Sequence, residues 1–332
     1  MAVAVPFFVW RGGMTDNNRD VLTKTWGVCL LATICCLLWG SAFPCIKIGY
    51  RLFAIQSNDT ASQILFAGCR FVIAGVMTVL IGCVAHRRLS IPAPRTWRKI
   101  FKISLIQTVV QYLFFYIGLA HASGVKSSII EASSTFFAIL LASLIFRQEK
   151  LSSKKVAGCL IGFSGVVLVN LSGGGLDMHF AFNGEGFVLI SALAYALSSV
   201  LIKRYSVDDD PVLISGYQFL IGGAVLALCG LSFGGSLPHV TGAGVAMLCY
   251  LACISAVAYT VWGILLKYNP VSKITIFGFM NPMFGVVLSI LLLDEGGQSF
   301  GVKGVVALAL VCAGIFIVNA KLPERPHSHD AT

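Results

Sequence analysis

Gly68-Cys69-Arg70-Phe71-Val72-Ile73-Ala74-Gly75 and Gly216-Tyr217-Gln218-Phe219-Leu220-Ile221-Gly222-Gly223 are one pattern written twice, with Gly, Phe, Ile and Gly recurring at a shift of 148 residues. Working outward, Tyr112, Ile117, Leu119, Lys126, Phe137 and Leu144 recur as Tyr259, Ile264, Leu266, Lys273, Phe284 and Leu291, a shift of 147. Trp39-Gly40-Ser41 through Lys47 has an echo in Tyr195-Ala196-Leu197 through Lys203. Each half holds five apolar spans. Five is odd, so the second half enters a membrane facing the opposite way. Inverted repeats in a membrane protein point to alternating-access transport, with the site at the repeat interface.

The composition agrees. Of 332 residues, 57% are hydrophobic and only 11% are charged, which excludes an ordinary soluble domain. Ten stretches approach the ~20 residues needed to cross a bilayer: 26–46, 64–85, 103–119, 127–146, 156–171, 186–202, 211–231, 243–266, 274–293 and 304–319. The expected fold is therefore an all-α membrane protein of ten transmembrane helices in two inverted five-helix repeats. Residues 1–25 form an N-terminal arm, 26–171 the first repeat, 172–185 a linker, 186–320 the second repeat and 321–332 a tail.

The net charge of +10 reports topology rather than a nucleic-acid partner. With the N-terminus inside, all but Lys47, Arg51, Arg70, Lys126 and Lys303 of the 24 Lys and Arg fall on the cytoplasmic side. This positive-inside bias puts both termini in the cytoplasm and the chain in the cell's inner membrane. The 86–102 stretch, with Pro92, Pro94 and a basic run around Trp97, reads as an interfacial segment. Met14 opens a polar stretch and reads as a natural start, which leaves 1–13 as an upstream-start artefact or a disordered arm. The eleven cysteines lie in or at spans without a Cys-x-x-Cys pair and read as packing residues. His327 and His329 belong to a solvated tail.

Two ionisable side chains fall inside the spans, Arg70 and Glu131. A charge at such depth needs a partner or a wet cavity. Arg70 is read as a structural charge, paired with Glu131 or with backbone carbonyls. Glu131 is the candidate proton or cation coupling residue; the competing reading makes it a helix-holding partner of Arg70. Amphipathic rings at a bundle centre can line a pocket, and they can equally serve helix packing. The expected substrate-binding set is Trp39, Tyr112, Phe115, Tyr195, Tyr259, Trp262 and Asn281. The repeat sets Tyr112 opposite Tyr259 across a pseudo-two-fold axis. Asn281-Pro282 interrupts the ninth span and Pro44 sits late in the first.

Gly162-Phe163-Ser164-Gly165 matches the Gly-x-Ser-Gly of intramembrane serine proteases. That chemistry requires a histidine base on a later helix, and His179, His239, His327 and His329 all lie outside the spans. The match reads as packing, like Gly158-Gly162-Gly165, Gly222-Gly223 and Gly314. No zinc spacing or phosphate-cradling loop is found, so no enzyme, cofactor or metal is expected.

Leu38-Trp39-Gly40-Ser41-Ala42-Phe43-Pro44-Cys45-Ile46-Lys47 resembles the first-helix signature of EamA-type transporters in the drug/metabolite transporter superfamily. Arg70-Phe71 with Ala74 resembles that family's second-helix pattern, and Phe279–Glu295, with Pro282 and Asp294-Glu295, its ninth helix. The chain departs from the pattern at Thr135, which replaces the usual proline of the fourth helix, and at Ala42, where a polar residue is common. The resemblance implies export of a small metabolite, such as an amino acid or an amphipathic compound, through a cavity lined by both halves. The partners so implied are a small-molecule substrate, the lipid bilayer and a proton or other coupling ion, for a monomer or homodimer. A flippase for a lipid-linked intermediate and a non-transporting receptor or scaffold are the alternatives from other classes.

Overall fold

The computed structural model describes residues 21–87, 91–122, 124–170, 181–293 and 301–320. The arm through residue 20, linker residues 172–180, Asp294-Glu295 and the tail with His327 and His329 lie outside the described residues.

Ten helical units follow one another among the described residues. The first five are α1 (Thr25–Leu52), α2 (Thr60–His86), α3 (Pro94–Ile103, Ser104–Val110 and Gln111–His121 in one run), α4 (Gly124–Ala132, then Ser134–Leu140 and Leu141–Ile145) and α5 (Ser153–Asn170). The second five are α6 (Phe182–Gly186 leading into Phe187–Tyr205), α7 (Pro211–Ser232), α8 (Gly242–Tyr268), α9 (Val271–Thr275, Ile276–Phe279 and Met280–Leu293) and α10 (Gly301–Asn319). Eight helices are long and apolar enough to cross a membrane, and Ile129–Ile145 is a shorter apolar one. Large apolar side chains such as Leu80, Val84, Leu228, Leu291 and Phe316 point outward, as lipid-facing residues would.

The ends are set locally. The Asp59 carboxylate accepts from the Ser62 N–H at 3.0 Å, Asp210 from Val212 at 2.9 Å and Thr241 from Gly244 at 3.1 Å. Each satisfies a backbone donor that a helix start leaves orphaned. Pro44 sits within an unbroken α1. Ahead of Pro282, α9 tightens to a 3₁₀ turn over Ile276–Phe279, because proline offers no N–H to the preceding turn. In α4 a turn at Ser133 interrupts the helix without a proline, and the Thr135 hydroxyl donates to the Thr275 carbonyl of α9 at 3.2 Å. The segment read as interfacial is helical from Pro94 onward and docks on α7, with the Trp97 and Tyr217 ring centroids 5.2 Å apart.

The inversion is visible in one crossing. A Cβ on Gly68 would overlap Ala227, and one on Gly75 would overlap Leu220. Gly230 meets Leu65 and Gly216 meets Val79. As α2 advances, α7 retreats, so the two matching helices run antiparallel, and the phenyl rings of the matching pair Phe71 and Phe219 stack at 5.3 Å. α5 and α10 repeat the arrangement, with Gly158 against Gly314 and Val318, and Gly165 against Ala307 and Val311. The main packed pairs are α2·α7, α5·α10, α1·α9 with α4·α6, α1·α8 with α3·α6, and α2·α8 with α3·α7. Exchanging the halves maps this set onto itself. Ser164 is exposed and donates to the Ile161 carbonyl, while Gly162 and Gly165 pack inward, so the protease-like motif is a helix contact.

At the end of the bundle where α1, α3, α5, α7 and α9 begin, polar groups join the halves. Glu149 accepts from the Ser272 N–H at 3.1 Å and from its hydroxyl at 2.9 Å, and lies 3.3 Å from Lys155. Within the second half, the Lys203 ammonium donates to the Leu266 and Asn269 carbonyls and ties α6 to the end of α8. Lys99 pairs with Asp209 at 2.5 Å and Asp208 at 3.3 Å, and Thr96 donates to Asp209 at 2.6 Å. Partial burial raises the Asp209 carboxyl, but hydrogen bonds from Lys99 and Thr96 outweigh it and hold the group below its ordinary value.

Two outcomes test this scaffold. Gly223→Val drives a side chain into the α2 backbone at Phe71 and Val72. It should cost about 1–3 kcal/mol, read as a lowered unfolding temperature in detergent. Gly242→Ala meets nothing within 4 Å and serves as the control. Because the folded-state value of Asp209 is depressed, its contribution is present above the ordinary carboxylate value of about 4 and is lost as pH falls through the lowered value. Thermal scans of wild type and Asp209→Asn should therefore differ at neutral pH and converge on acidification.

Candidate functional site

The aromatic residues gather where the pseudo-two-fold axis passes between α3 and α8. The Tyr112 and Tyr259 hydroxyls are 2.8 Å apart, so one donates a hydrogen bond to the other between repeat-related side chains. Phe71 lies 4.5 Å from the Tyr112 ring and Phe219 5.1 Å from the Tyr259 ring, again repeat-related contacts. Trp39 enters from α1 and stands edge-on to Tyr259 at 5.1 Å and to Trp262 at 5.0 Å. Trp39 can take this place because Gly40, the next residue, lets Phe284 of α9 approach the α1 backbone. Tyr259 and Trp262, three residues apart on α8, share one helix face.

The structure thus brings Trp39, Tyr112, Tyr259 and Trp262 into one cluster. Tyr195 is partly buried against the same group. Phe115 contacts Tyr116 at 5.8 Å and forms a second tier behind Tyr112. Asn281 lies in α9, which packs on α1; its Oδ1 is buried without a hydrogen bond, and no ring contact joins it to the cluster among the described residues.

The two charges do not pair. Arg70 is 3% exposed, and its Nε and Nη2 both donate to the Ser255 hydroxyl of α8, at 3.1 and 2.8 Å. The expected Arg70–Glu131 ion pair is not formed among the described residues. α2 packs on α7 and α8, whereas α4 packs on α6, and these separate contacts keep the two groups apart. The Glu131 carboxyl neighbours Ser191 without reaching hydrogen-bonding geometry, and its Oε2 is buried and unpartnered. Tyr112 lies within electrostatic reach of both Arg70 and Glu131.

Buried polar atoms are nearly always bonded, yet several at this centre are not. Trp39 Nε1, Trp262 Nε1, Gln111 Oε1 and Glu131 Oε2 are all buried without a partner. Each such group carries a desolvation cost of about 1–3 kcal/mol. Nearby, Gln218 accepts from Thr108 at 2.6 Å and donates to Gln107 at 3.1 Å, a closed network. Thr108 belongs to the π-helical stretch Ser104–Val110, on which Gly222 packs. Its counterpart in α8 is ordinary α-helix, so the halves differ here; π-helical turns concentrate at functional sites. Sequence reasoning missed Ser255. The signal was present, since Thr108 and Ser255 are 147 apart and their partners Gln218 and Arg70 are 148 apart.

The comparisons with known proteins agree with the repeat. A family model described as EamA-like transporter family matches residues 25–171 and 182–320. The chain is 26% identical over 290 residues to a chloroplastic WAT1-related protein of Arabidopsis thaliana, covering 85% of this chain and 66% of that one. It is 24% identical to an uncharacterized transporter of Archaeoglobus fulgidus, covering 88% of this chain and 97% of that one. It is 25% identical to the uncharacterized transporter YvbV of Bacillus subtilis, covering 90% and 93%. A crystal structure of a protein at 18% identity superposes with a TM-score of 0.73 over 88% of this chain and 96% of that one, a likeness of fold.

The tyrosine pair gives a sharp energetic test. Tyr112→Phe and Tyr259→Phe each remove the one bond between the hydroxyls and should each lower stability by about 1 kcal/mol. The double replacement should cost little more than either single one, a coupling read by a double-mutant cycle of detergent unfolding.

Proposed function

The chain belongs to the EamA-like transporter family, and from that premise we propose that it exports a small metabolite across the cytoplasmic membrane by alternating access. The cargo is an amino acid or an amphipathic compound. The two halves rock about the aromatic cluster on their shared axis, and both termini face the cytoplasm, as the positive-inside bias supports. Trp39, Tyr112, Tyr259 and Trp262 supply apolar faces to the cargo, with Phe115, Tyr195 and Asn281 at the margin. Glu131 is the coupling group.

One observation carries this reading: a buried ring cluster at the repeat interface contains the unpartnered Trp39 Nε1 and Trp262 Nε1, and the unpartnered Glu131 Oε2 belongs to a carboxyl within electrostatic reach of its Tyr112 and Tyr195. Donors and an acceptor that the protein leaves unbonded in its own middle are groups a bound molecule can satisfy. A carboxyl beside uncharged rings and a serine can take up or release a proton as the halves move.

The test is counterflow in proteoliposomes loaded with single unlabelled amino acids. Wild type should exchange labelled against unlabelled cargo, and Trp39→Ala should lose at least about tenfold in rate, equivalent to about 1.4 kcal/mol. Glu131→Gln should transport with a rate that no longer varies with pH. A Glu131→Gln rate that follows pH as wild type does removes Glu131 from coupling. Absence of counterflow with any soluble metabolite, together with movement of a labelled lipid-linked sugar, replaces this reading by the flippase one.

A further inference from the structure

Among the described residues, Arg70 is the only buried Lys or Arg. Its guanidinium has five N–H donors, yet its hydrogen bonds reach one acceptor, the Ser255 hydroxyl. No carboxylate among the described residues pairs with it. The Phe71 ring, 5.2 Å from its central carbon, offers only a cation–π contact. A charge in a membrane interior costs about 2.5–3.5 kcal/mol or more, and one hydroxyl does not offset that.

The molecule contains its own control. Under the repeat, Arg70 corresponds to Gln218 and Ser255 to Thr108. In the second half this slot holds a neutral amide whose oxygen accepts from Thr108 and whose nitrogen donates to Gln107, so the network closes. In the first half, the residue matching Gln107 is Ile254, which has no side-chain acceptor. The crossing of α2 and α7 therefore requires a polar side chain at this level but no charge. The positive charge of Arg70 is surplus to the scaffold, and the first half leaves it open.

What surrounds it says what it is for. Tyr50, Tyr112, Tyr116 and Tyr259 lie within electrostatic reach of Arg70. Tyr259 touches Trp39, which touches Trp262. A buried planar fork of donors held by one hydroxyl suits a carboxylate, which guanidinium binds through paired hydrogen bonds. One positive charge with uncharged neighbours matches a monoanion better than a dianionic phosphate. The rings beside it suit an apolar or aromatic body.

We propose that Arg70 is the anchor for the carboxylate of the transported molecule, with Ser255 as the positioning residue, so that the cargo is a small organic acid or amino acid with an apolar body. This deepens the transport reading above and rests on it.

The test uses the full chain in lipid nanodiscs and follows quenching of its tryptophan fluorescence. The probes are N-acetyl-L-phenylalanine, its methyl ester, 3-phenylpropionate and 3-phenylpropanol. Both carboxylates should bind at least about tenfold more tightly than their neutral counterparts. Arg70→Gln should erase that ratio, and Arg70→Lys, which keeps a point charge but not the fork, should restore part of it. A purely structural Arg70 would leave the acid-to-neutral ratio unmoved in every variant that folds. If Arg70→Gln does not fold, the wild-type ratio and Arg70→Lys decide. Equal binding of acids and neutral analogues overturns the carboxylate anchor and leaves the aromatic transport site standing. Failure of all four probes to bind overturns the carboxylate anchor beside these rings, and the counterflow assay then decides the transport reading.

Discussion

Two helices that touch without side chains between them set the geometry of this protein. α2 and α7 cross where Gly68 meets Ala227 and Gly75 meets Leu220, with Gly223 against Val72. In lipid no hydrophobic force draws helices together, so contact must come from packing and polar bonds, and small residues let backbones approach. Because the two helices are the same element of the two repeats, their antiparallel contact defines the pseudo-two-fold axis. The positions of Phe71 against Phe219 and Tyr112 against Tyr259 follow from that axis. A wider crossing would separate both pairs at once.

Function then depends on where the two halves stop matching. The frame is symmetric, but its polar fittings are not. Gln218 closes its hydrogen bonds with Gln107 and Thr108, whereas Arg70 finds Ser255 alone. The third helix widens into a π-helical stretch that the eighth lacks. Glu131 stands opposite Gly278 in the repeat alignment, so the first half also carries the one buried carboxyl at the centre left with an unpartnered oxygen. The frame is shared by both halves, and the chemistry on which the proposed cargo and coupling roles rest is confined to one of them.

Polar groups also couple the halves at the end where Glu149 meets Ser272 and Lys99 meets Asp209. Glu149 holds both the backbone N–H and the hydroxyl of Ser272, which ties the start of α9 to the first half. Partly exposed ion pairs of this type contribute little each, so the contact can be made and broken without a large barrier. That is compatible with the proposed rocking of the halves.

The sequence by itself determined the order of the helical units, their repeat and the packing role of the glycines, because these depend on local apolarity and on a repeat that can be counted. It also set Tyr112 opposite Tyr259, since equivalent residues near a two-fold axis must face each other. The break at Ser133, the π-helical turn and the separation of Arg70 from Glu131 were decided by tertiary structure alone. A charge in a span announces that it needs a partner, but which partner depends on which helix packs beside it. α2 lies against α8 and α4 against α6, and that choice arises from the summed packing of the whole bundle, which no local pattern of residues records.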